Sequence, residues 1–268
     1  MTTPFLSKVS GSLISVRKNI MNICISDLHL DSDCLIEKLN SYCSDYGLNL
    51  SRDVFSKCIR HLELVIERNN TVNLTRILDV DDALVLHLLD SLLLLPFFEK
   101  APEGKFLDMG TGAGFPGIEL GVASQREGLL IDSVNKKIEA VDSFISDLSI
   151  PNLKAEHIRI EDAGKKYRKQ FSIVTARALA SIPVLIEYAT PFLSCDGLLI
   201  LTKGNPSEIE IDSGNKAAEI CGLDLIQHKE LDLPNELGHR SYFIYQRIKQ
   251  TSISLPRQNG LAKKKPLA

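Results

Sequence analysis

The sequence predicts an α/β fold in which a doubly wound, mostly parallel sheet follows a small helical cap. Short apolar segments alternate with helical patterns over residues 101–250, as in sheets that carry helices on both faces. A glycine-rich turn follows the first apolar segment, whereas residues 33–100 show helical periodicity alone. We therefore expect a helical cap over 33–100 and an α/β domain over 101–250.

The composition is that of an ordinary globular protein, with 44% apolar residues, 24% charged residues and a net charge of −3. That charge is too small to indicate or to exclude a nucleic-acid partner. The longest apolar stretch, 83–98, is interrupted by His87 and Asp90 and is shorter than the roughly 20 residues of a bilayer span. We therefore expect a cytoplasmic protein with no membrane partner.

The six cysteines and six histidines show no spacing typical of metal ligands, so we expect reduced thiols and no metal site. Residues 1–32 are expected to be an N-terminal extension, either disordered or a targeting segment, and a true start at Met21 is an equal alternative for its composition. Residues 251–268 are expected to form a basic, disordered tail. Nothing in the pattern indicates a partner subunit, and we expect a monomer.

Three helices are predicted in the cap. The first ends at Gly47, which suits a left-handed C-terminal cap, and the second begins after Ser51. The third begins after Asp79 or Asp81 and is broken at Pro96. Apolar residues at three- and four-residue spacing give each helix one face for a core.

Five strands are predicted in the domain, and a closing antiparallel pair follows them near the C-terminus. A helix between the fourth and fifth strands is expected to begin at Ser181, with Pro183 in its first turn. The five strands are expected at 106–110, 128–134, 153–160, 171–177 and 197–203.

The glycine-rich turn is the strongest functional signal. Gly110, Gly112, Gly114 and Gly117 lie directly after the first strand and before a helix. Glycines there allow backbone torsions that other residues avoid, and they let a ligand approach the main chain closely. Asp132 ends the second strand about twenty residues later, where a carboxylate can accept hydrogen bonds from a ribose.

The spacing alone leaves the ligand open, because Gly112, Gly114 and Gly117 also satisfy the dinucleotide fingerprint of oxidoreductases. Two features favour another ligand. A helical cap precedes the turn, and Asp108 lies two residues before the first glycine, where a carboxylate suits a sulfonium and an ammonium better than a pyrophosphate. An NAD-dependent oxidoreductase, and a tight turn without ligand, remain alternatives.

The segment LDMGTGAGFPGIEL (107–120) resembles the signature of the ribosomal RNA small subunit methyltransferase G family, also called glucose-inhibited division protein B. The resemblance extends over roughly residues 33–248. It implies a class I methyltransferase fold, Rossmann-like with an antiparallel C-terminal strand, S-adenosylmethionine as cofactor, and methylation of N7 of a guanine in 16S ribosomal RNA. Further matching segments are 73–91, 130–138, 174–182 and 201–204.

Position by position, the resemblance implies cofactor contacts at Gly110, Phe115, Ile160, Glu161 and Arg177, and ribose binding by Asp132. Ile160 and Glu161 are expected to close the third strand and to face the adenine edge. Arg177, at the end of the fourth strand, is expected to contact guanine or the cofactor carboxylate, or else to pair with Glu161 or Asp108. One departure from the family lies at Leu86, where members commonly carry arginine.

Basic residues in four places are candidates for binding RNA. The run GKKYRK (164–169) contains Lys165, Lys166 and Arg168 with no acid among them, and KKK follows at 263–265. Lys203 and Arg240 lie at strand ends, where they suggest phosphate or base contacts. For each of these the alternative is a solvated surface.

The expected reaction needs no general base, because guanine N7 carries a lone pair and no proton. Catalysis would then consist of holding donor and acceptor about 3–3.5 Å apart in line. The partner implied is 16S ribosomal RNA or the small ribosomal subunit. A small-molecule methyltransferase, or a non-catalytic protein that binds nucleotide or RNA on the same fold, remains the alternative.

Overall fold

The computed structural model describes residues 32–77 and 79–268. The extension predicted at residues 1–32 therefore lies, except for Ser32, outside the described residues. Among the described helices, none is long and apolar enough to cross a membrane.

Two long helices begin the cap, α1 (Ser32–Asp45) and α2 (Arg52–Asn69). Both predicted ends are confirmed. Gly47 has a φ of +78° just after α1, a left-handed conformation that glycine adopts without strain. The Ser51 side chain accepts a hydrogen bond from the N–H of Val54, 3.4 Å away, at the N-cap of α2.

The third helical region differs from the prediction because it is not one regular helix. It begins as α3 (Val80–Ala83), capped by Asp79 as predicted, and continues as a π-helical segment (Leu84–Leu89) and α4 (Asp90–Leu92). Pro96 does not end this helix. It lies in the first turn of a further short helix, α5 (Leu95–Phe98), where its missing N–H costs nothing.

The domain is a seven-stranded sheet with strand order β3-β2-β1-β4-β5-β7-β6. Neighbouring strands from β3 to β5 are parallel, and β7 runs antiparallel between β5 and β6. This order, with its antiparallel seventh strand, is the class I methyltransferase arrangement that the sequence predicts. The strands are β1 (Lys105–Met109), β2 (Gly128–Asp132), β3 (Leu153–His157), β4 (Phe171–Arg177), β5 (Leu193–Lys203), β6 (Leu223–Asp232) and β7 (His239–Arg247).

The connections are helical, and one of them corrects a predicted strand end. The third strand stops at His157, so Ile160 and Glu161 do not belong to it but begin helix α8. Ser181 precedes α9, with Pro183 in its first turn, as predicted. The helices are α6 (Gly117–Ser124), α7 (Asn135–Asp147), α8 (Ile160–Lys166), α9 (Ile182–Ala189), α10 (Glu208–Cys221) and α11 (Leu261–Lys264), with a 3₁₀ turn at Pro234–Glu236.

Successive residues of the buried strands face opposite sides of the sheet and fill two cores. Phe106 packs in one core with the cap, α6 and α7, whereas Leu107 packs in the other with α8, α9 and α10. The cap therefore shares a continuous hydrophobic core with one face of the sheet and with residues of the glycine turn, such as Phe115. This packing fixes the cap against the site.

The predicted disorder of residues 251–268 is wrong. Leu255 and Ala262 are buried in the core that contains α9. Nearby, both Oε atoms of Glu187 accept hydrogen bonds from the guanidinium of Arg257, at 2.7 and 2.5 Å. Two apolar anchors and a bidentate ion pair order a segment whose composition alone indicates a solvated tail.

Candidate active site

The glycine turn connects β1 to α6 at the carboxyl edge of the sheet. Gly110, Gly112 and Gly114 have φ values of +72°, +62° and +102°. The N–H of Gly112 donates to Oδ2 of Asp132 at 3.1 Å, while Oδ1 of Asp132 accepts from the N–H of Val134 at 2.9 Å. Asp132 thus holds the turn as well as lying at the end of β2 where the sequence predicts it.

The glycines of the turn meet different requirements. A Cβ at Gly114 would lie 2.7 Å from the side chain of Ile118, and one at Gly110 would lie 2.8 Å from Leu179, so these two glycines allow close packing. A Cβ at Gly112 would come no closer than 4.0 Å to any protein atom. The space above Gly112 is therefore open, as a ligand-binding turn requires.

Asp108 lies beneath the turn. Its carboxylate is almost fully buried and accepts hydrogen bonds from the N–H of Gly117 and the hydroxyl of Thr175, both at 3.1 Å. Burial raises the pKa of this carboxyl to about 6, although its hydrogen bonds act in the opposite direction. The geometry gives Asp108 the role of tying the turn and α6 to β4.

A cavity of about 200 Å³, called here the smaller cavity, adjoins the turn and contains several of the predicted residues. Gly110 and Asp132 form one side, and Ile160 and Glu161 at the start of α8 form another. The structure thus brings together the residues that the sequence assigns to the ribose and the adenine, although Ile160 and Glu161 arrive on a helix instead of a strand.

A second cavity of about 370 Å³, called here the larger cavity, lies between the cap and the ends of β4, β5 and β7. Arg177, Lys203 and Arg240, the basic residues predicted at strand ends, all line it. Residues 177 and 178 line the larger cavity and residue 179 lines the smaller one, so the turn after β4 separates the two.

Arg177 pairs with neither of the acids proposed for it. Its guanidinium donates to Asp90, at 3.1 Å, and to the carbonyl oxygen of Leu86, also at 3.1 Å. Arg240 binds the other carboxylate oxygen of Asp90 at 3.0 Å. Arg177 therefore lies in the larger cavity beside the cap, and the predicted cofactor contact requires a ligand that reaches across the turn.

Asp90 is a site residue that the sequence did not predict. It is only 2% exposed and holds two arginines from two different strands. The signal that could have identified it is an acidic residue within an apolar helical run, because acids are rarely buried without a partner. The π-helical segment just before Asp90 shifts the helical register at this point, a feature frequent at functional sites.

Phe115 faces the cap. Its ring stacks on His87 with centroids 4.5 Å apart and planes 4° apart, and its centroid lies 4.6 Å from that of the tilted His61 ring. Burial and the neighbouring Arg177 lower the pKa of His87 to about 3, so this ring is uncharged at neutral pH. The ring of Phe115 is itself only 5% exposed, so the cofactor contact implied for this residue stays a prediction.

His61, on cap helix α2, makes a second contact with the glycine turn that the sequence did not predict. Nδ1 of His61 lies 2.6 Å from Oε1 of Glu119, and Nε2 lies 3.0 Å from the carbonyl oxygen of Ala113. Both side chains are fully buried. His61 is a histidine on the apolar face of α2, a position that on sequence alone looks like an ordinary core residue.

The basic run at 164–169 lies elsewhere. Helix α8 leads from the carboxyl end of β3 to the amino end of β4, which puts these residues at the edge of the sheet opposite the glycine turn. Lys165 pairs with Asp162 at 3.0 Å, Lys166 pairs with Glu156 at 2.8 Å, and Arg168 donates to the carbonyl oxygen of Leu255 at 2.6 Å. Their role as RNA contacts stays a prediction.

The described residues contain no group of three or more side chains suited to hold a metal ion. The site consists instead of a glycine turn, two adjoining cavities and a buried ion-pair cluster at the carboxyl edge of a class I sheet. Fold and site together define the protein class, a class I methyltransferase.

A model of the rRNA small subunit methyltransferase G family matches residues 55–237. Ribosomal RNA small subunit methyltransferase G of Clostridium tetani is 34% identical over 232 residues, covering 85% of this chain and 97% of that protein. The protein of that name from Lactobacillus helveticus is 37% identical over 212 residues, covering 77% and 88%. The chain belongs to the rRNA small subunit methyltransferase G family.

A solved structure from Pyrococcus horikoshii, of a protein assigned as a transferase, superposes with a TM-score of 0.50 at 12% identity. The match covers 60% of this chain and 64% of that one. At this identity the likeness concerns the fold alone.

Proposed function

We propose that this chain is an S-adenosylmethionine-dependent methyltransferase that modifies N7 of a guanine in 16S ribosomal RNA, acting as a cytoplasmic monomer. The observation that carries the proposal is the pair of cavities on either side of the turn after β4. One cavity adjoins an open glycine turn, and the other is lined by cations. Two substrates in such neighbouring sites would meet at the turn.

The smaller cavity suits the cofactor by the chemistry of its walls. Asp132 offers a carboxylate of this cavity to ribose hydroxyls, and the open space above Gly112, two residues from Gly110 of the cavity wall, would admit the methionine portion close to the main chain. Ile160 presents an apolar wall and Glu161 a hydrogen-bond acceptor, which suit an adenine ring and its amino group. S-adenosylmethionine would bring to this site a methyl group on a positively charged sulfur.

The larger cavity suits a nucleotide. Arg177 and Arg240 are held in place by Asp90, and Lys203 is held by Glu210 at 2.9 Å and by the carbonyl oxygen of Ala180 at 3.0 Å. Cations fixed in this way can bind phosphate oxygens or base acceptors with little further loss of side-chain entropy. The expected reaction asks these residues only to position the base, because N7 needs an in-line approach and no proton removal.

The charge state of the larger cavity also suits the product. Methylation of N7 adds a positive charge to the base, which a cationic wall would disfavour. His87 remains neutral, and Asp90 places a carboxylate between the two arginines. The neutral ring and the single carboxylate reduce, without cancelling, the positive charge of the three basic residues in this wall.

The proposal is tested with two transcripts of 16S ribosomal RNA, one with guanine and one in which 7-deazaguanine replaces every guanine. Each is offered free and after reconstitution into small subunits, together with methyl-labelled S-adenosylmethionine. We expect label in the guanine transcript, in at least one of its two forms, and none in its 7-deaza counterpart, which lacks the attacking nitrogen.

Equal labelling of both transcripts would contradict N7 as the acceptor. No labelling of either, from a protein that binds S-adenosylmethionine, would contradict the RNA substrate and favour a small-molecule methyltransferase. No binding of the cofactor at all would favour a non-catalytic protein.

A further inference from the structure

The C-terminal segment, residues 251–268, forms part of the smaller cavity. Gly260 and Lys263 both line this cavity, although they lie more than 70 residues after the other residues of its wall. The segment also lies beyond residues 55–237, the part matched by the family model.

The segment reaches the cavity through a series of fixed contacts. Ser252 donates its N–H to the carbonyl oxygen of Ile220 at 3.0 Å, and Leu255 is buried beside α9. Arg257 forms its two-bonded ion pair with Glu187, which is only 2% exposed. These anchors fix the chain immediately before the cavity residues.

The segment then bonds directly to a predicted cofactor residue. Gly260, in a left-handed conformation with φ of +78°, donates its N–H to Oε1 of Glu161 at 2.8 Å. The hydroxyl of Tyr188 donates to the same oxygen at 3.3 Å, and Asn259 donates to the neighbouring Asp162 at 3.2 Å. The two donors occupy Oε1 of Glu161 and set the direction of Oε2.

We infer that the C-terminal segment completes the cofactor site: Gly260 positions Glu161, and the ammonium group of Lys263 binds the adenosine portion of the cofactor. The inference rests on the proposed function. The smaller cavity has carboxylates at Asp132 and Glu161, so it offers acceptors to the ribose hydroxyls and to the amino group of adenine. Besides Arg159, Lys263 is the other cation of this cavity, and lysine supplies only donors, which the ring nitrogens of adenine require.

Lys263 and Lys264 provide a matched pair for the test. Both are exposed lysines on α11, but of the two only Lys263 lines the smaller cavity. Replacing either by alanine removes the same charge from the same short helix. A difference between Lys263→Ala and Lys264→Ala therefore reports the position of the charge and not its loss.

We expect Lys263→Ala to weaken the binding of S-adenosylmethionine roughly three- to tenfold in calorimetric titration, as for a partly solvated charged hydrogen bond. S-adenosylhomocysteine should lose the same factor, because it carries the same adenosine. The KM for S-adenosylmethionine should rise while kcat at saturation stays constant, because the residue lies at the end of the cofactor away from the methyl group. Lys264→Ala should bind both cofactor forms with the affinity of the wild type.

Equal cofactor affinities for the two variants would overturn the inference while leaving the proposed function intact, since the wild type would still bind cofactor. Equal losses of RNA affinity in both variants, with cofactor affinity unchanged, would also overturn it and would assign the lysines to an RNA backbone. A wild-type protein that binds no S-adenosylmethionine would refute the proposed function itself.

Discussion

The open space above Gly112 allows a substitution that separates folding from ligand binding. A Cβ at Gly112 would contact no protein atom closer than 4.0 Å, and a Cβ at Gly47 would have nothing within 4 Å. Both glycines have positive φ, +62° and +78°. Alanine at either position therefore introduces backbone strain of about 1–2 kcal/mol and no steric clash within the protein.

The two alanine variants should lose similar folding stability, about 1 kcal/mol, in urea denaturation. They should differ in calorimetric titration with S-adenosylmethionine. The methyl group of Gly112→Ala occupies space that the ligand needs, so we expect at least about a tenfold loss of affinity, or 1.4 kcal/mol. Gly47 lines neither cavity, so Gly47→Ala should bind normally.

Gly114→Ala completes the comparison. Its Cβ would lie 2.7 Å from Ile118 and 3.0 Å from His61, so this variant should lose more stability than the other two. If Gly112→Ala binds the cofactor as tightly as Gly47→Ala does, the glycine turn is not the binding surface and the reasoning fails.

Three further predictions concern charged residues. Asp132→Ala should weaken cofactor binding by about 1–3 kcal/mol, since the ribose loses a charged acceptor and Gly112 loses its anchor; a change below twofold in titration would assign the ribose to another residue. The pKa of Asp108 is raised from 3.8 to about 6 in the folded state, so its contribution to stability is greatest at low pH and is lost as the pH rises from 3.8 to about 6. Between pH 4 and 7 the free energy of unfolding of the wild type should therefore fall by about 2 kcal/mol relative to that of Asp108→Asn. The same difference in unfolding free energy between the two proteins at both pH values would argue against this. Arg177→Ala should lower turnover at saturating RNA, with little change in the salt dependence of RNA binding. Neutralising Lys165 and Lys166 should instead make that salt dependence shallower, by about 0.7 in the slope of log affinity against log salt for each phosphate that is no longer neutralised. If the lysine variants bind RNA normally at every salt concentration, these lysines belong to the ordinary solvated surface.

Features that depend on local chemistry were predictable from the sequence. N-cap positions fall on residues that suit them: the side chains of Ser51 and Asp79 accept hydrogen bonds there, and Ser181 has the extended backbone of an N-cap. One helix ends at Gly47 because glycine tolerates positive φ. The strands follow from apolar runs bounded by turns. The glycine turn was predictable for the same reason, because its torsions require glycine.

Features that depend on distant partners were not predictable. Asp90 and Arg177 are 87 residues apart, and nothing near either one in sequence indicates the other. The order of residues 251–268 likewise depends on a buried acid, Glu187, that lies 70 residues before its partner Arg257. The sequence predicts a strand as far as Ile160 because apolar residues continue past His157, but helix α8 begins at Ile160 instead.

We propose that this chain moves a methyl group from S-adenosylmethionine to one guanine of small-subunit ribosomal RNA. The most direct test is to incubate the protein with methyl-labelled cofactor and 16S ribosomal RNA or small subunits, and then to map the labelled nucleotide. We expect label at a single guanine, on N7, with wild-type protein and a much slower reaction with Gly112→Ala. Label on another base or another atom, or the same rate with both proteins, would contradict it.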